Sequence, residues 1–124
     1  ISAWITGQRA YFFVFMAAYV DAHGSIRTVG PHSARLDIQT YDQGILMGIW
    51  EGLTVLNIYC AKPRVVVPAG YTNRAGITQN QDKWGLWVHR RTHVNRLLKH
   101  LLPYLQHRKR RTDALRALKA TQEE

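Results

Sequence analysis

The segment 9–22 constrains the fold of this chain more than any other part of the sequence. It predicts a helix, yet its centre is the unbroken apolar run from Phe12 to Val20, so apolar side chains face nearly every direction. A helix without a polar face is buried on all sides. Because the core of a 124-residue chain seldom surrounds a helix completely, we expect a second protein surface to pack against this helix. Ala17 and Ala18 are small enough for a partner helix to approach closely.

Length and charge narrow the class of protein. A chain of 124 residues accommodates one compact domain, which we place at 1–124, and its hydrophobic content of 46% is that of a globular protein. Seventeen Lys and Arg against eight Asp and Glu give a net charge of +9, which favours polyanionic partners. Most basic residues lie from Arg90 onward, including the run 108–111, as in a phosphate-binding surface or a targeting signal. The apolar run in the first helix is too short to span a bilayer, so we expect no membrane partner.

Periodicity along the chain predicts the order helix, two strands, helix, two strands, helix, helix. The helices are expected over 9–22 and 43–53, from an N-cap at Thr92 onward, and from Pro103 to about Lys119 as a last, basic helix. The strands are expected over 25–29, 34–41, 55–67 with an interruption at Pro63, and 83–89. Gly24 is expected to end the first helix with a positive φ, and Gly30 and Pro31 form a turn. The fold class is therefore mixed α+β.

One strand carries a polar face of long side chains. In 34–41, Leu36 and Ile38 alternate with Arg35, Asp37 and Gln39. One face of this strand is thus turned toward the core, and the other presents side chains that reach base edges or phosphates.

Three segments resemble the LAGLIDADG homing endonuclease family. Residues 16–26, MAAYVDAHGSI, resemble its signature helix and the start of its first strand, and 34–53 resembles the second strand and the helix after it. Residues 101–109, LLPYLQHRK, resemble the "L-x-P-Y-L…K" segment near the domain end. Together they span almost the whole chain and stand in the family's order.

The resemblance implies an αββαββαα domain whose curved, four-stranded antiparallel sheet lies along the major groove of DNA. The signature helices of two such domains pack together, so the partner of helix 9–22 would be a second LAGLIDADG-like domain or another protein subunit, with Asp21 at that interface beside the two alanines. It also implies that the last acid of each signature helix binds the divalent cations used to cleave DNA. Because the family's genes are associated with organellar introns, a mitochondrial or other organellar location follows by analogy.

This sequence departs from the family at the metal-binding acid. The residue immediately before Gly24 is His23, and Mg²⁺ prefers carboxylate oxygens to a neutral imidazole. Asp21 remains, but the resemblance gives that earlier acid a structural, helix-capping role. We therefore expect no bound metal and no cofactor, with Mg²⁺ required only if the chain does cleave. Candidates for any residual active site are Asp21, Gln39 and Arg108. Helical spacing through Leu105 and Thr112 predicts that Arg108 faces inward.

The expected nucleic-acid contacts lie on the strands and in the basic run. They are Arg27, Arg35, Asp37, Gln39, Tyr41, Lys62, Arg64, Lys83, Arg108, Lys109, Arg110 and Arg111. One of Trp84 and Trp87, which lie on opposite faces of a strand, is expected in the core, and the other either packs or stacks on an unpaired base.

We expect no metal site among the histidines and the cysteine. His89, His93, His100 and His107 recur at steps of four and seven, but Pro103 interrupts a continuous helix and no second cysteine joins them. Cys60 alone excludes an internal disulfide, and we expect it to be a small buried hydrophobe.

Three functions fit these features. The first is a catalytically degenerate LAGLIDADG-like domain that binds structured RNA in a ribonucleoprotein such as an organellar ribosome. The second is an active or heterodimeric homing endonuclease that cleaves duplex DNA with a divalent metal. The third is an intron maturase or a DNA-binding regulator.

Overall fold

The computed structural model describes residues 9–122, which form four α-helices, four strands and one 3₁₀ turn. In chain order these elements are α1 Arg9–His23, β1 Gly24–Thr28, β2 Ala34–Thr40, α2 Gln43–Val55, β3 Arg64–Val67, β4 Lys83–Val88, α3 Arg91–Leu101, the 3₁₀ turn Leu102–Tyr104 and α4 Arg108–Ala120. The α+β class and the element order predicted from the sequence are confirmed. No helix within 9–122 has the length and apolar character needed to cross a membrane.

The strands form one antiparallel sheet in the order β1-β2-β4-β3. Side chains alternate along β2, so that Leu36 and Ile38 are fully buried while Arg35, Asp37 and Gln39 are only partly so. The helices pack on the buried face, with α4 against β1 and α2 against β4. The opposite face, called the outer face below, is left uncovered by them.

Helix α1 is buried along one side and open along the other. Phe12, Met16 and Val20 are fully buried in the core. The opposite side carries an apolar strip at helical spacing, which consists of Tyr11, Val14, Phe15, Ala18, Tyr19 and Ala22. Residues 9–122 therefore do not enclose the predicted helix on all sides. Of the two alanines, Ala17 lies in the core and only Ala18 lies on the open side.

Glycine allows α1 and α2 to touch. A Cβ atom on Gly52 would overlap the ring of Phe12, which is fully buried. Gly52 therefore permits the aromatic ring of one helix to lie directly on the backbone of the other.

Gly24 does not end α1 in the predicted way. Positive φ values among the described glycines occur at Gly30, Gly70 and Gly76, and Gly24 begins β1 instead. A Cβ there would lie 2.8 Å from the carbonyl oxygen of Val20. The glycine is needed for this close approach of helix and strand, and the predicted left-handed cap is wrong.

The boundaries of the last two helices also differ from prediction. Helix α3 has Arg90, not Thr92, at its N-cap, and Arg90 makes no side-chain capping bond. Pro103 lies in the 3₁₀ turn, and α4 begins only at Arg108. The predicted single helix over 103–119 is therefore a 3₁₀ turn, a short connection and a helix that begins at Arg108.

At or just beyond the C-terminal end of each of the four described helices, backbone carbonyl groups accept hydrogen bonds from an arginine side chain of another helix, α3 or α4. The pairs are Arg110 with Val20 of α1, Arg96 with Leu56 and Asn57 after α2, Arg111 with Leu102 and Leu105 after α3, and Arg91 with Thr121 and Gln122 after α4. A guanidinium suits this place because the last carbonyl groups of a helix lack intrahelical partners and carry partial negative charge. Part of the large positive charge thus serves the fold.

Candidate nucleic-acid interface

The strand register brings the polar side chains of the outer face together in rows. Arg27 of β1 pairs with Arg35 of β2, and Ser25 pairs with Asp37, which in turn pairs with Trp87 of β4. Gln39 and Arg64 lie on either side of Gly85 in the next row. Side chains from all four strands therefore share one surface.

This surface is a groove of about 750 Å³. It is lined by Ser25, Arg27, Arg35, Asp37, Gln39, Ala61, Lys62, Arg64, Val66, Trp87 and His89. Six of the predicted contact residues are among them: Arg27, Arg35, Asp37, Gln39, Lys62 and Arg64. Among these lining residues, Lys and Arg outnumber the carboxylates, so the groove suits an anionic ligand.

Arg35, which lines the groove, has an unused hydrogen-bond donor. Its Nε is buried and has no hydrogen-bond partner within residues 9–122. A buried polar group without a partner is uncommon in folded proteins and calls for a specific explanation. A guanidinium matches the geometry of a phosphate group.

Asp37 is the one acid that the described part of the chain places in the groove. Burial raises the pKa of its carboxyl above the ordinary value of 3.8, and the positive charge of Arg27 lowers it in part. The carboxyl is therefore easier to protonate than a solvent-exposed aspartate.

Trp87 forms an aromatic surface in the groove. Its ring lies against Gly85, where a Cβ would come within 2.7 Å of the indole, and the guanidinium carbon of Arg64 lies 4.8 Å from the ring centroid. Trp84 points the other way and packs against the core. The sequence left open which tryptophan faces outward, and the pairing of Trp87 with Asp37 answers it.

Two further predicted contacts lie beside the groove. The hydroxyl of Tyr41 donates to Oε1 of Gln79 at 2.9 Å, and Nζ of Lys83 lies 5.9 Å from the centroid of the Tyr41 ring. They mark where the loop 68–82 joins the sheet. Sequence reasoning missed Ser25 and His89 as groove residues, although Ser25 shares the alternation of Arg27.

The basic run 108–111 does not form one free cationic surface. Arg110 and Arg111 donate to the carbonyl groups described above, and Nζ of Lys109 pairs with Asp113 at 2.8 Å. Arg108 is exposed, so its predicted inward orientation is wrong. The error has a physical reason: the helical phase was carried through Leu105, which lies before α4 begins.

Asp21 and His23, at the C-terminal end of α1, make different contacts. The Asp21 carboxylate accepts hydrogen bonds from the backbone N–H groups of Gln106, at 2.8 Å, and His107, at 3.2 Å, just before α4. The His23 side chain is exposed and lies against the Tyr19 ring, with 4.7 Å between ring centroids. Within residues 9–122 no group of three or more His, Cys, Asp or Glu side chains is placed to hold a metal ion.

The side chains of Asp21 and His23 do not fit a magnesium ion. Mg²⁺ prefers oxygen ligands in a near-octahedral arrangement, and a protein usually holds it through one or two carboxylates. The carboxylate of Asp21 is occupied with two backbone donors, and His23 offers an imidazole.

Comparisons with known proteins agree with this architecture. No model of a protein family matches the chain, and no curated protein matches it significantly. Among solved structures, the homing endonuclease I-CvuI in complex with its target (Sro1.3) in the presence of 2 mM Ca matches with a TM-score of 0.61 and 21% identity, over 91% of this chain and 67% of that chain. The same endonuclease with the I-CreI target (C1221) in the presence of 2 mM Mg, with its DNA not cleaved, matches with a TM-score of 0.60 and 22% identity, over 90% and 66%.

The fold is LAGLIDADG-like. The resemblance drawn from three sequence segments is therefore confirmed as a resemblance of fold. This LAGLIDADG-like chain spans about two thirds of the length of the endonuclease chains, at 67% and 66%.

Proposed function

We propose that this chain binds nucleic acid along the outer face of its sheet. The observation that carries the proposal is the buried Nε of Arg35, a cationic donor without a partner in residues 9–122, on a side chain that lines the groove. Arg27, Lys62 and Arg64 add positive charge around it. Phosphate groups of a nucleic acid satisfy both the donor and the charge.

We further propose that the chain does not cleave its ligand. Hydrolysis by a divalent metal needs carboxylates free to bind the ion. Asp21 holds the backbone in front of α4, and His23 replaces the acid that the family resemblance would place before Gly24.

The finer proposal is a structural RNA-binding component of a ribonucleoprotein, such as an organellar ribosome. The imidazole of His23 in place of the expected acid supports a binding role without cleavage, and the net charge of +9 supports a polyanionic environment. The assignment to that assembly is an analogy with homing-endonuclease genes, which are associated with introns, including introns of ribosomal RNA genes.

The alternative is an endonuclease that becomes complete in a dimer. The open apolar strip of α1 favours it, because Tyr11 and Val14 are 59% and 44% exposed on a helix whose other side is buried in the core. A partner chain seated on this strip could bring its own acid next to His23. Such a heterodimer would cleave, whereas two copies of this chain would bring two imidazoles.

The test is a paired binding and cleavage assay. The purified chain is incubated with Mg²⁺ or Mn²⁺ and with pools of duplex DNA and structured RNA, beside a His23→Asp variant and an Arg35→Gln variant. We expect binding without cleavage, preference for RNA, and about tenfold weaker binding by Arg35→Gln, as for the removal of a charged hydrogen bond of about 1.4 kcal/mol.

Each other outcome has a definite meaning. Specific DNA cleavage by the native chain overturns the non-cleaving proposal. Sequence-specific binding of uncleaved duplex DNA favours a regulator or maturase over an RNA scaffold. Failure to bind any nucleic acid overturns the proposed function as a whole.

A further inference from the structure

A second, smaller cavity of about 360 Å³ lies beside the C-terminal end of α2. It is lined by Trp50, Thr54, Asn57, Ile58, Tyr59 and Cys60. Its volume is at the lower end of the range for small-ligand pockets, which is about 300–1,000 Å³. We call it the α2 pocket.

Hydrogen bonds hold the Trp50 indole and the backbone of Tyr59 in place at the α2 pocket. Nε1 of Trp50 donates to the carbonyl oxygen of Cys60, another lining residue, at 3.2 Å. The backbone N–H of Tyr59 donates to Nδ1 of His93 at 2.7 Å. A ligand that stacks on such walls does not have to order them first.

Positive charge flanks both aromatic rings. Nζ of Lys62 lies 6.0 Å from the Trp50 ring centroid, and Cζ of Arg90 lies 4.0 Å from that of Tyr59. Among the described residues, no acidic side chain lines the pocket. Aromatic surface beside cations is the combination that binds a nucleobase together with its phosphate.

The polar groups of the pocket suit a base edge. Asn57 adopts a left-handed φ of 60° because it follows the C-cap Leu56, and Ile58 closes this helix end by donating to Leu53. The Asn57 carboxamide has no hydrogen-bond partner within residues 9–122, so its donor and acceptor are available. Cys60 adds a neutral wall, since burial raises the pKa of its thiol to about 11.

The α2 pocket adjoins the groove of the outer face. Cys60 lines the pocket, and the next two residues, Ala61 and Lys62, line the groove. A nucleic-acid strand bound in the groove therefore reaches the pocket across only the length of this short segment of protein.

We propose that the α2 pocket receives one unpaired base of a structured RNA whose backbone lies in the groove. The inference rests on the proposed nucleic-acid binding and deepens it by naming the form of the ligand. A duplex presents only base edges in its grooves, whereas an unpaired base offers its faces to aromatic side chains. The pocket thus favours bulges and loops over continuous duplex.

The experiment compares two RNA hairpins that differ by one bulged nucleotide, bound to the full chain at fixed salt. The readout is the ratio of their dissociation constants, in which contacts common to both hairpins cancel. We expect the bulged hairpin to bind about tenfold more tightly, in line with the stacking of one base on an aromatic side chain. The preference should disappear in Tyr59→Ala and persist in Tyr59→Phe, which keeps the ring.

Tyr71→Ala is the matched control, because Tyr71 is 52% exposed, close to the 48% of Tyr59, and does not line the pocket. A bulged 2-aminopurine gives a second readout, since its fluorescence should fall when the base stacks. Equal, tight binding of both hairpins by the native chain overturns this inference and leaves the proposed function standing. Equal loss of the preference in Tyr71→Ala also overturns it, whereas absence of any RNA binding overturns the proposed function.

Discussion

Asp21 and Gln106 are joined by a hydrogen bond of 2.8 Å between the Asp21 carboxylate and the Gln106 backbone N–H, across 85 residues of sequence. A second bond, from His107, places the same carboxylate in front of α4, where helix amides lack partners. Asp21 thus connects the end of the first helix to the start of the last.

Replacing Asp21 with Ala should lower the free energy of unfolding by about 1–2 kcal/mol, as for loss of a helix-capping carboxylate. The measurement is urea unfolding followed by circular dichroism. Asp113→Ala is the control, because Asp113 makes a surface ion pair with Lys109, and such pairs contribute about 0.5 kcal/mol or less. Equal destabilisation by the two changes would contradict the capping role of Asp21.

The packing of Gly52 against Phe12 makes a second prediction. Gly52→Ala should destabilise the chain by about 1–3 kcal/mol, because the new methyl group overlaps a fully buried ring. Gly44→Ala in the same helix is the matched control, since its Cβ would meet only Oδ1 of Asp42 at 3.5 Å. Removing a helical glycine at an open position should instead stabilise by about 0.5–1 kcal/mol. Opposite signs in thermal unfolding are the expected result.

The arginines on the helix ends make a third prediction. Arg96→Gln should lower the free energy of unfolding by about 1–2 kcal/mol, because Arg96 donates to Asn57 at 3.1 Å and Leu56 at 3.2 Å. Arg116→Gln removes the same charge from a side chain without a hydrogen bond within residues 9–122, and should stay within about 0.5 kcal/mol. If both variants lose equal stability in urea, net charge and not helix capping is responsible.

These interactions mark where sequence reasoning succeeds and where it ends. Element types were predictable because apolar periodicity is local, as in the alternation of Leu36 and Ile38 in β2. Helix ends were not, because Thr92 and Pro103 carry start signals that the neighbouring chain overrides.

The groove followed from alternation along single strands, which places Arg35, Asp37 and Gln39 on one face. The arginine caps could not be predicted in this way. Arg110 meets Val20 across 90 residues, and no local pattern records that hydrogen bond. The run 108–111 was therefore predicted to form one phosphate-binding surface, although Lys109, Arg110 and Arg111 each make a different contact within the fold.

This division of charge makes a fourth prediction. The double variant Arg27→Gln, Arg35→Gln should weaken nucleic-acid binding and flatten the dependence of log affinity on log salt, by about one for each phosphate that the protein no longer neutralises. Arg110→Gln, Arg111→Gln removes the same charge but should leave the salt slope unchanged and lower stability. The measurement is fluorescence anisotropy at several salt concentrations. A slope reduced by the second variant alone would place the phosphate-binding residues on α4 instead of the groove.

The buried thiol of Cys60 makes the last prediction, on pH. Burial raises the thiol pKa from its ordinary 9.0 to about 11, so the unfolded chain loses this proton first as the pH rises. The stability that the neutral thiol contributes is fully present below pH 9 and is lost between about pH 9 and 11. At pH 10 the free energy of unfolding should have fallen by about 1 kcal/mol on this account.

Other groups titrate in the same range, so the test compares the native chain with Cys60→Ala in urea at pH 7 and pH 10. The stability advantage of the native chain should shrink at pH 10, because alanine has no proton to lose. Alkylation of Cys60 in the folded chain should be slow at pH 7, since the thiolate is the reactive form. Fast alkylation at pH 7 without unfolding would mean that the thiol is neither buried nor neutral.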